Sequence, residues 1–188
     1  MPATETETVE LPIRLAEEAA LYDHLTGLPN RLLQRSHLER ALHRATRTGT
    51  QVAVLFLDVD DFHDLNERFG PELGDQVLIV ISARLRAALR GSDLAARFDA
   101  DEFVVVCEDV ADPRDLAILQ GRLTEALIAP LHVGDTVVEL RVSVGAALGR
   151  GHEDPGELLN AADRSMRAMK VRHDSTASRR GQLDDPTS

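Results

Sequence analysis

S-D-L-A-A-R-F-D-A-D-E-F-V-V-V-C, residues Ser92 to Cys107, is the stretch on which the fold turns. At its centre Asp99, Asp101 and Glu102 put three carboxylates within four residues. Apolar runs flank them: Leu94 to Phe98 and Phe103 to Cys107 read as strands, with the acidic group at the hairpin tip between them. Carboxylates gathered at a strand turn are costly unless a cation or hydrogen-bond donors offset them. Alone, D-A-D-E reads equally as a solvated turn. A second acidic group changes the weighting. Asp58, Asp60 and Asp61 close the apolar run Val52 to Leu57. Two strand ends bearing carboxylates can face each other across a sheet. Such hard oxygen ligands suit Mg²⁺, which takes one or two protein carboxylates and leaves positions for phosphate.

The 188 residues suit one domain. Hydrophobic residues make up 43% and aromatics only 3%, so the core must be aliphatic. A net charge of -11 argues against nucleic acid and anionic membrane as partners. Cys107 is the one cysteine, which excludes an intrachain disulfide and suits a reduced, cytoplasmic setting. No apolar run is long enough to cross a bilayer, and the polar start is not a signal peptide. Against twenty arginines stands one lysine, Lys170.

Residues 1–21 are expected to be a disordered start plus a short helix, Leu11 to Tyr22. That helix either pairs with a partner or packs on its own domain. A turn-rich segment follows, and Asn30 is the expected N-cap of a helix to about Thr48, with Leu33, Leu38, Ala41, Leu42 and Ala45 inward. Gln51 to Val59 reads as a central strand covered on both faces. A short helix is expected over Asp60 to Phe69, a break over Gly70 to Gly74, and a second helix over Asp75 to Leu89. After the acidic hairpin come a helix (Pro113 to Ala129), a hairpin over Gly134-Asp135 with its second strand running from Thr136 to Ser143, a strand continuing to Leu148, and a helix from Pro155 to Arg172. Residues 173–188 are expected to be a loose tail. The fold class is therefore α/β (α+β): one mixed central sheet flanked by helices.

Seven blocks now match a known family in order and spacing. They are D-H-L-T-G-L-P-N-R at 23–31, D-V-D-D-F-H-D-L-N-E-R-F-G at 58–70, G-D at 74–75, R-G-S-D at 90–93, F-D-A-D-E-F at 98–103, V-S-V-G at 142–145 and A-D-R-S-M-R-A-M-K at 162–170. Over residues 22–172 the chain resembles the GGDEF family of diguanylate cyclases. The resemblance implies a palm-like fold related to class III nucleotide cyclases. It implies an activity in which two GTP molecules, each held by one domain of an antiparallel pair, condense to cyclic di-GMP.

By the same resemblance Asp58 and Asp101 are metal carboxylates and the Val59 carbonyl is a further metal ligand. Asp101 and Glu102 count as catalytic. The amides around Phe62 and His63 would face phosphate. Asn66 and Asp75 would read guanine, and Lys170 would meet the triphosphate. Mg²⁺ is the implied cofactor. Arg90 and Asp93 match the family's inhibitory site for cyclic di-GMP, with Arg122 as a weaker third contact. R-x-x-D by itself is also an ordinary turn motif.

The chain departs from the family at Asp99 and Ala100, where the signature has two glycines. Glycine there permits positive φ and lets phosphate approach bare backbone. Alanine in a left-handed conformation costs roughly 1 kcal/mol. Asp99 adds a carboxylate near the triphosphate, a repulsion of several kcal/mol at an effective dielectric of about 20. Asp174 stands where an arginine is usual, Arg167 where an aromatic is common, and Pro71 where a histidine usually follows glycine. The expected function is a degenerate GGDEF domain, weak or inactive as a cyclase, that binds cyclic di-GMP or regulates another signalling protein. An active cyclase and a structural dimerisation module are the alternatives. Expected partners are cyclic di-GMP, GTP, and a second copy or another signalling protein. No sensor domain is recognisable, so an input would come from a partner.

Overall fold

The computed structural model describes residues 20–133 and 136–181, with side chains for residues 20–132 and 137–171. The expected Leu11 to Tyr22 helix lies almost wholly outside the described residues, as do the Gly134-Asp135 turn and residues 182–188.

A wide turn lies at the start of the described residues. Asp23 accepts from the backbone N–H and the hydroxyl of Thr26, at 2.8 and 2.6 Å. Gly27 adopts φ 64° and closes back on the Asp23 carbonyl. Helix α1 (Arg31–Thr48) starts at the expected cap: the Asn30 side chain accepts from the amides of Leu32 and Leu33. Leu38, Ala41, Leu42 and Ala45 are buried as expected. Leu33 is only half-buried, and Gln34 is 1% exposed in its place.

Strand β1 (Gln51–Val59) is central in a sheet of order β2-β3-β1-β6, with β2 (Leu94–Arg97), β3 (Glu102–Val110) and β6 (Val142–Gly149). All three pairings in the sheet are antiparallel, where the element order had suggested a mixed sheet. Side chains alternate across it. Ala53, Leu55, Leu57 and Val59 enter one core with α3 (Pro71–Ala88) and α4 (Pro113–Ile128). Val52, Val54 and Phe56 enter the other with α1 and α5 (Pro155–Gly181). Both faces are covered, so the uninterrupted apolar run is required.

Four expected boundaries move. The short helix α2 spans Phe62–Phe69, because Asp60 and Asp61 form the turn before it. The Asp60 amide bonds to the Arg141 carbonyl, and Asp61 takes φ 57°. Helix α3 begins at Pro71 rather than Asp75. Gly70 at φ 89° turns the chain, proline fits the first helical turn, and Gly74 lies inside the helix. The expected Thr136 to Ser143 strand is broken. Strands β4 (Leu131–Val133) and β5 (Thr136–Val138) form a separate two-stranded sheet, and Val142 begins a new strand on β1. The last helix continues past Arg172 to Gly181, so residues 173–181 are helix rather than tail.

Helix α4 is tied down at its end by Arg84, which donates to the carbonyls of Leu127, Ala129 and Pro130 at 3.0, 2.6 and 2.9 Å. The Leu127 carbonyl is one that a helix C-terminus otherwise leaves without a partner, and Ala129 and Pro130 carry the chain out of the helix. Gly145 lets α5 lie directly on β6, since a Cβ there would meet the Met166 amide nitrogen at 1.9 Å.

Candidate functional site

Alternation along β1 puts Asp58 on the α1/α5 face, after Val52, Val54 and Phe56. Asp58 pairs with Glu102 on β3 and Ser143 on β6, and is 7% exposed. On α5, Leu158, Ala162 and Met166 are buried at four-residue spacing against that face. Lys170 is the next position in the series, and its ammonium reaches the Asp58 carboxylate at 2.5 Å. The one lysine therefore neutralises the most buried carboxylate of the cluster.

The Val59 amide donates to the Asp101 carbonyl at 3.3 Å, which holds the hairpin tip against the end of β1. Burial, then the charge of Asp58, push the Asp101 carboxyl above the ordinary range. Glu102 is raised for the same reasons, with Asp99 and Asp163 adding to the repulsion. Burial opposes the charge of Lys170, yet its bond to Asp58 and the nearby carboxylates raise its affinity for a proton. Carboxylates strained by each other's charge seek a cation. Asp58 and Asp101 are neighbouring hard oxygen donors, of the kind that a magnesium ion takes when water or phosphate oxygens fill its other positions. Among the described residues no group of three or more His, Cys, Asp or Glu side chains is placed to hold a metal ion.

The hairpin tip overturns one expectation. Among the described residues only Asp61 and Asp109 have positive φ outside glycine. Asp99 and Ala100 do not, so the tip carries none of the left-handed strain expected from replacing two glycines. The Asp99 carboxylate instead accepts from the Ala100 amide at 2.9 Å. Arg97 closes the turn from below. Its Nε and Nη2 donate to the Ala100 carbonyl at 3.1 and 2.6 Å, and its Nη1 reaches both Asp23 oxygens at 3.1 and 3.2 Å. Sequence reading missed this clamp. The signal was an arginine two residues before the tip, with a turn-forming aspartate 74 residues upstream.

Asn66 on α2 faces Gly74 on α3, directly before Asp75. A Cβ at Gly74 would stand 1.9 Å from the Asn66 side-chain oxygen. That oxygen is buried without a hydrogen-bond partner. Asp75 itself is exposed. At the start of α2, Asp61 makes no side-chain cap; its carboxylate turns to Arg141. The amides of Phe62 and His63 therefore open a helix whose first turn no side chain closes. The His63 ring is exposed and pairs with Glu67 at 3.2 Å.

Arg90, Asp93 and Arg122 converge on one cavity of about 160 Å³, together with Cys107, Glu108, Asp109 and Asp115. Asp93 accepts from the Arg90 amide at 3.0 Å, an ordinary turn bond. Burial, then the Asp93 charge, raise the Cys107 thiol far above its usual range, so it is unreactive at neutral pH. Arg167 is exposed and bonded to Asp163 at 2.9 Å, one turn before Lys170 on α5. The Asp174 side chain lies outside the described residues.

Residues 20–176 match the family described as diguanylate cyclase, GGDEF domain. The chain is 38% identical over 169 residues to the diguanylate cyclase TpbB of Pseudomonas aeruginosa, which covers 89% of this chain and 39% of that relative's length. The crystal structure of the GGDEF domain of TpbB superposes with a TM-score of 0.75 at 38% identity, over 78% of this chain and 92% of that one. The coiled coil and GGDEF domain of DgcB from Caulobacter crescentus, solved in complex with cyclic di-GMP, gives a TM-score of 0.78 at 25% identity, over 89% of each chain. The match spans most of the chain and the antiparallel sheet carries its carboxylates at the strand ends, so this chain belongs to the GGDEF family.

Proposed function

We propose that this chain is a GGDEF module of cyclic di-GMP signalling that binds guanine nucleotides and turns over GTP slowly or not at all. The observation that carries the reading is the bond from the Ala100 amide to the Asp99 carboxylate. A carboxylate of the chain occupies an N–H at the tip where phosphate would need one, and its charge remains beside the nucleotide. Asp58 and Asp101 would hold Mg²⁺, which when bound would lower the pKa of an attacking ribose hydroxyl and offset phosphate charge. Lys170 would then leave Asp58 for a phosphate. Asn66 and Asp75 would bind guanine, and the amides at the start of α2 would face the phosphates. Arg90, Asp93 and Arg122 would hold cyclic di-GMP by charge and base-edge hydrogen bonds, against the repulsion of Glu108, Asp109 and Asp115.

The absence of left-handed strain at Asp99 and Ala100 favours a second reading, a working cyclase. Incubation with GTP and Mg²⁺, followed by detection of cyclic di-GMP, separates the two. Product at an ordinary cyclase rate defeats the first reading. Calorimetry of cyclic di-GMP against wild type and Arg90→Ala tests the second ligand site. No heat from either protein, with no GTP binding, leaves a module that serves only to pair with other chains.

A further inference from the structure

We propose that Arg167 is a phosphate contact of the nucleotide site, one that a triphosphate makes and a monophosphate cannot. The inference rests on the guanine-nucleotide reading above and adds a residue to it. On α5 the positions 163, 167 and 170 recur at four- and three-residue intervals, so they share one face of the helix. That face looks at the acidic tip: the Lys170 ammonium bonds the Asp58 carboxylate, and the Asp163 charge is felt at Glu102. The two cations of the face, Arg167 and Lys170, are therefore neighbours one turn apart. Where the family has an arginine one turn further on, this chain has Asp174.

Arg167 is placed to change partners. Its side chain is 70% exposed, and its bond to Asp163 at 2.9 Å is an i,i+4 pair at the surface. Such pairs are weak, because water competes for both charges. Asp163 loses little when the guanidinium leaves, since 23% of its side chain is open to water. The Asp163 bond, and behind it the charges of Glu102 and Asp58, make the guanidinium hold its proton more firmly, so Arg167 stands within range of the acidic site. Reach follows from the helix. Residues three apart stand about 5–6 Å apart at Cβ, and arginine is the longer side chain. A phosphate within reach of Lys170, once that ammonium leaves Asp58, is within reach of Arg167. The sheet decides which phosphate that is. Asn66 and Asp75, the guanine residues, belong to α2 and α3, and α3 packs on the opposite face of the sheet from α5. Only the end of the nucleotide furthest from its base extends to α5. There Asp99 and Glu102 repel the phosphates, and Lys170 offers a single point charge. A guanidinium adds a planar fork that takes two phosphate oxygens at once.

The test is calorimetry in Mg²⁺ with the 3′-deoxy tri- and monophosphates of guanosine, which cannot condense. Arg167→Gln should weaken the triphosphate about fivefold, through loss of a charge-assisted contact at an exposed site, and leave the monophosphate unchanged. Arg167→Lys should recover most of the loss, and added salt should narrow the gap between wild type and Arg167→Gln. Arg164→Gln removes an exposed arginine about 100° round the same helix from Asp163, and should change neither affinity. Triphosphate binding by Arg167→Gln equal to wild type, an equal loss for both nucleotides, or the same loss in Arg164→Gln would each overturn the proposal and leave the nucleotide reading standing. So would a crystal with bound triphosphate in which Arg167 stays on Asp163. Failure of the wild type to bind either nucleotide would overturn both.

Discussion

Arg97→Ala should loosen the acidic hairpin and destabilise the whole domain. Arg97 and Asp23 are each 16% exposed, so the pair is screened little by solvent. The substitution removes two hydrogen bonds to the Ala100 carbonyl and two to Asp23. It also leaves the Asp23 carboxylate facing only its Thr26 donors. Breaking a buried pair on one side costs about 3–5 kcal/mol, and residual exposure favours the lower end, about 3 kcal/mol. In a domain of this size that is a fall in Tm of about 6–12 °C. Urea unfolding at pH 7 measures it directly. The pH dependence gives a second, independent readout. Burial raises the Asp23 carboxyl, but the bonds from Thr26 and Arg97 outweigh it and hold the folded-state value below 3.8. A depressed carboxyl stabilises the fold above its unfolded pKa and loses that contribution as pH falls through the folded one. The gap between wild type and Arg97→Ala should therefore narrow below about pH 4. A loss under about 1 kcal/mol that stays constant from pH 7 to pH 3 would refute the clamp.

Four other outcomes follow from the same geometry. Gly74→Ala forces Asn66 aside and should cost about 1–3 kcal/mol while abolishing GTP-induced thermal stabilisation; a variant that keeps the GTP shift would contradict the assignment of Asn66. The double change Asp99→Gly, Ala100→Gly should leave Tm within a few degrees, since no strain is relieved, yet raise GTP affinity by calorimetry; unchanged affinity would move suspicion to Asp174. Lys170→Met removes the cation from Asp58 and should raise nucleotide-free Mn²⁺ affinity about tenfold, read by electron paramagnetic resonance. Arg84→Ala frees three carbonyls at the end of α4 and should cost about 2–3 kcal/mol by urea unfolding, with nucleotide binding intact.

The sequence by itself settled the family, the central strand, the acidic hairpin and the cap at Asn30. Each is written locally: an apolar run covered on two faces, carboxylates at strand ends, an amide side chain before a helix. It misjudged α3, because Gly70-Pro71 and Gly74 look like breakers until Asn66 is seen pressing on Gly74. It misjudged the tip for the same kind of reason. Glycine in the signature implied positive φ, but the tip is held otherwise: the Asp99 amide donates to the Glu102 carbonyl, and Arg97, anchored on Asp23, donates to the Ala100 carbonyl, contacts that composition does not connect. The Lys170–Asp58 pair spans 112 positions and exists only once α5 has packed on the end of β1. Local chemistry fixes what each segment prefers. Only packing decides which charge meets which, because a pair's energy depends on distance and burial, and neither exists until the chain has closed on itself.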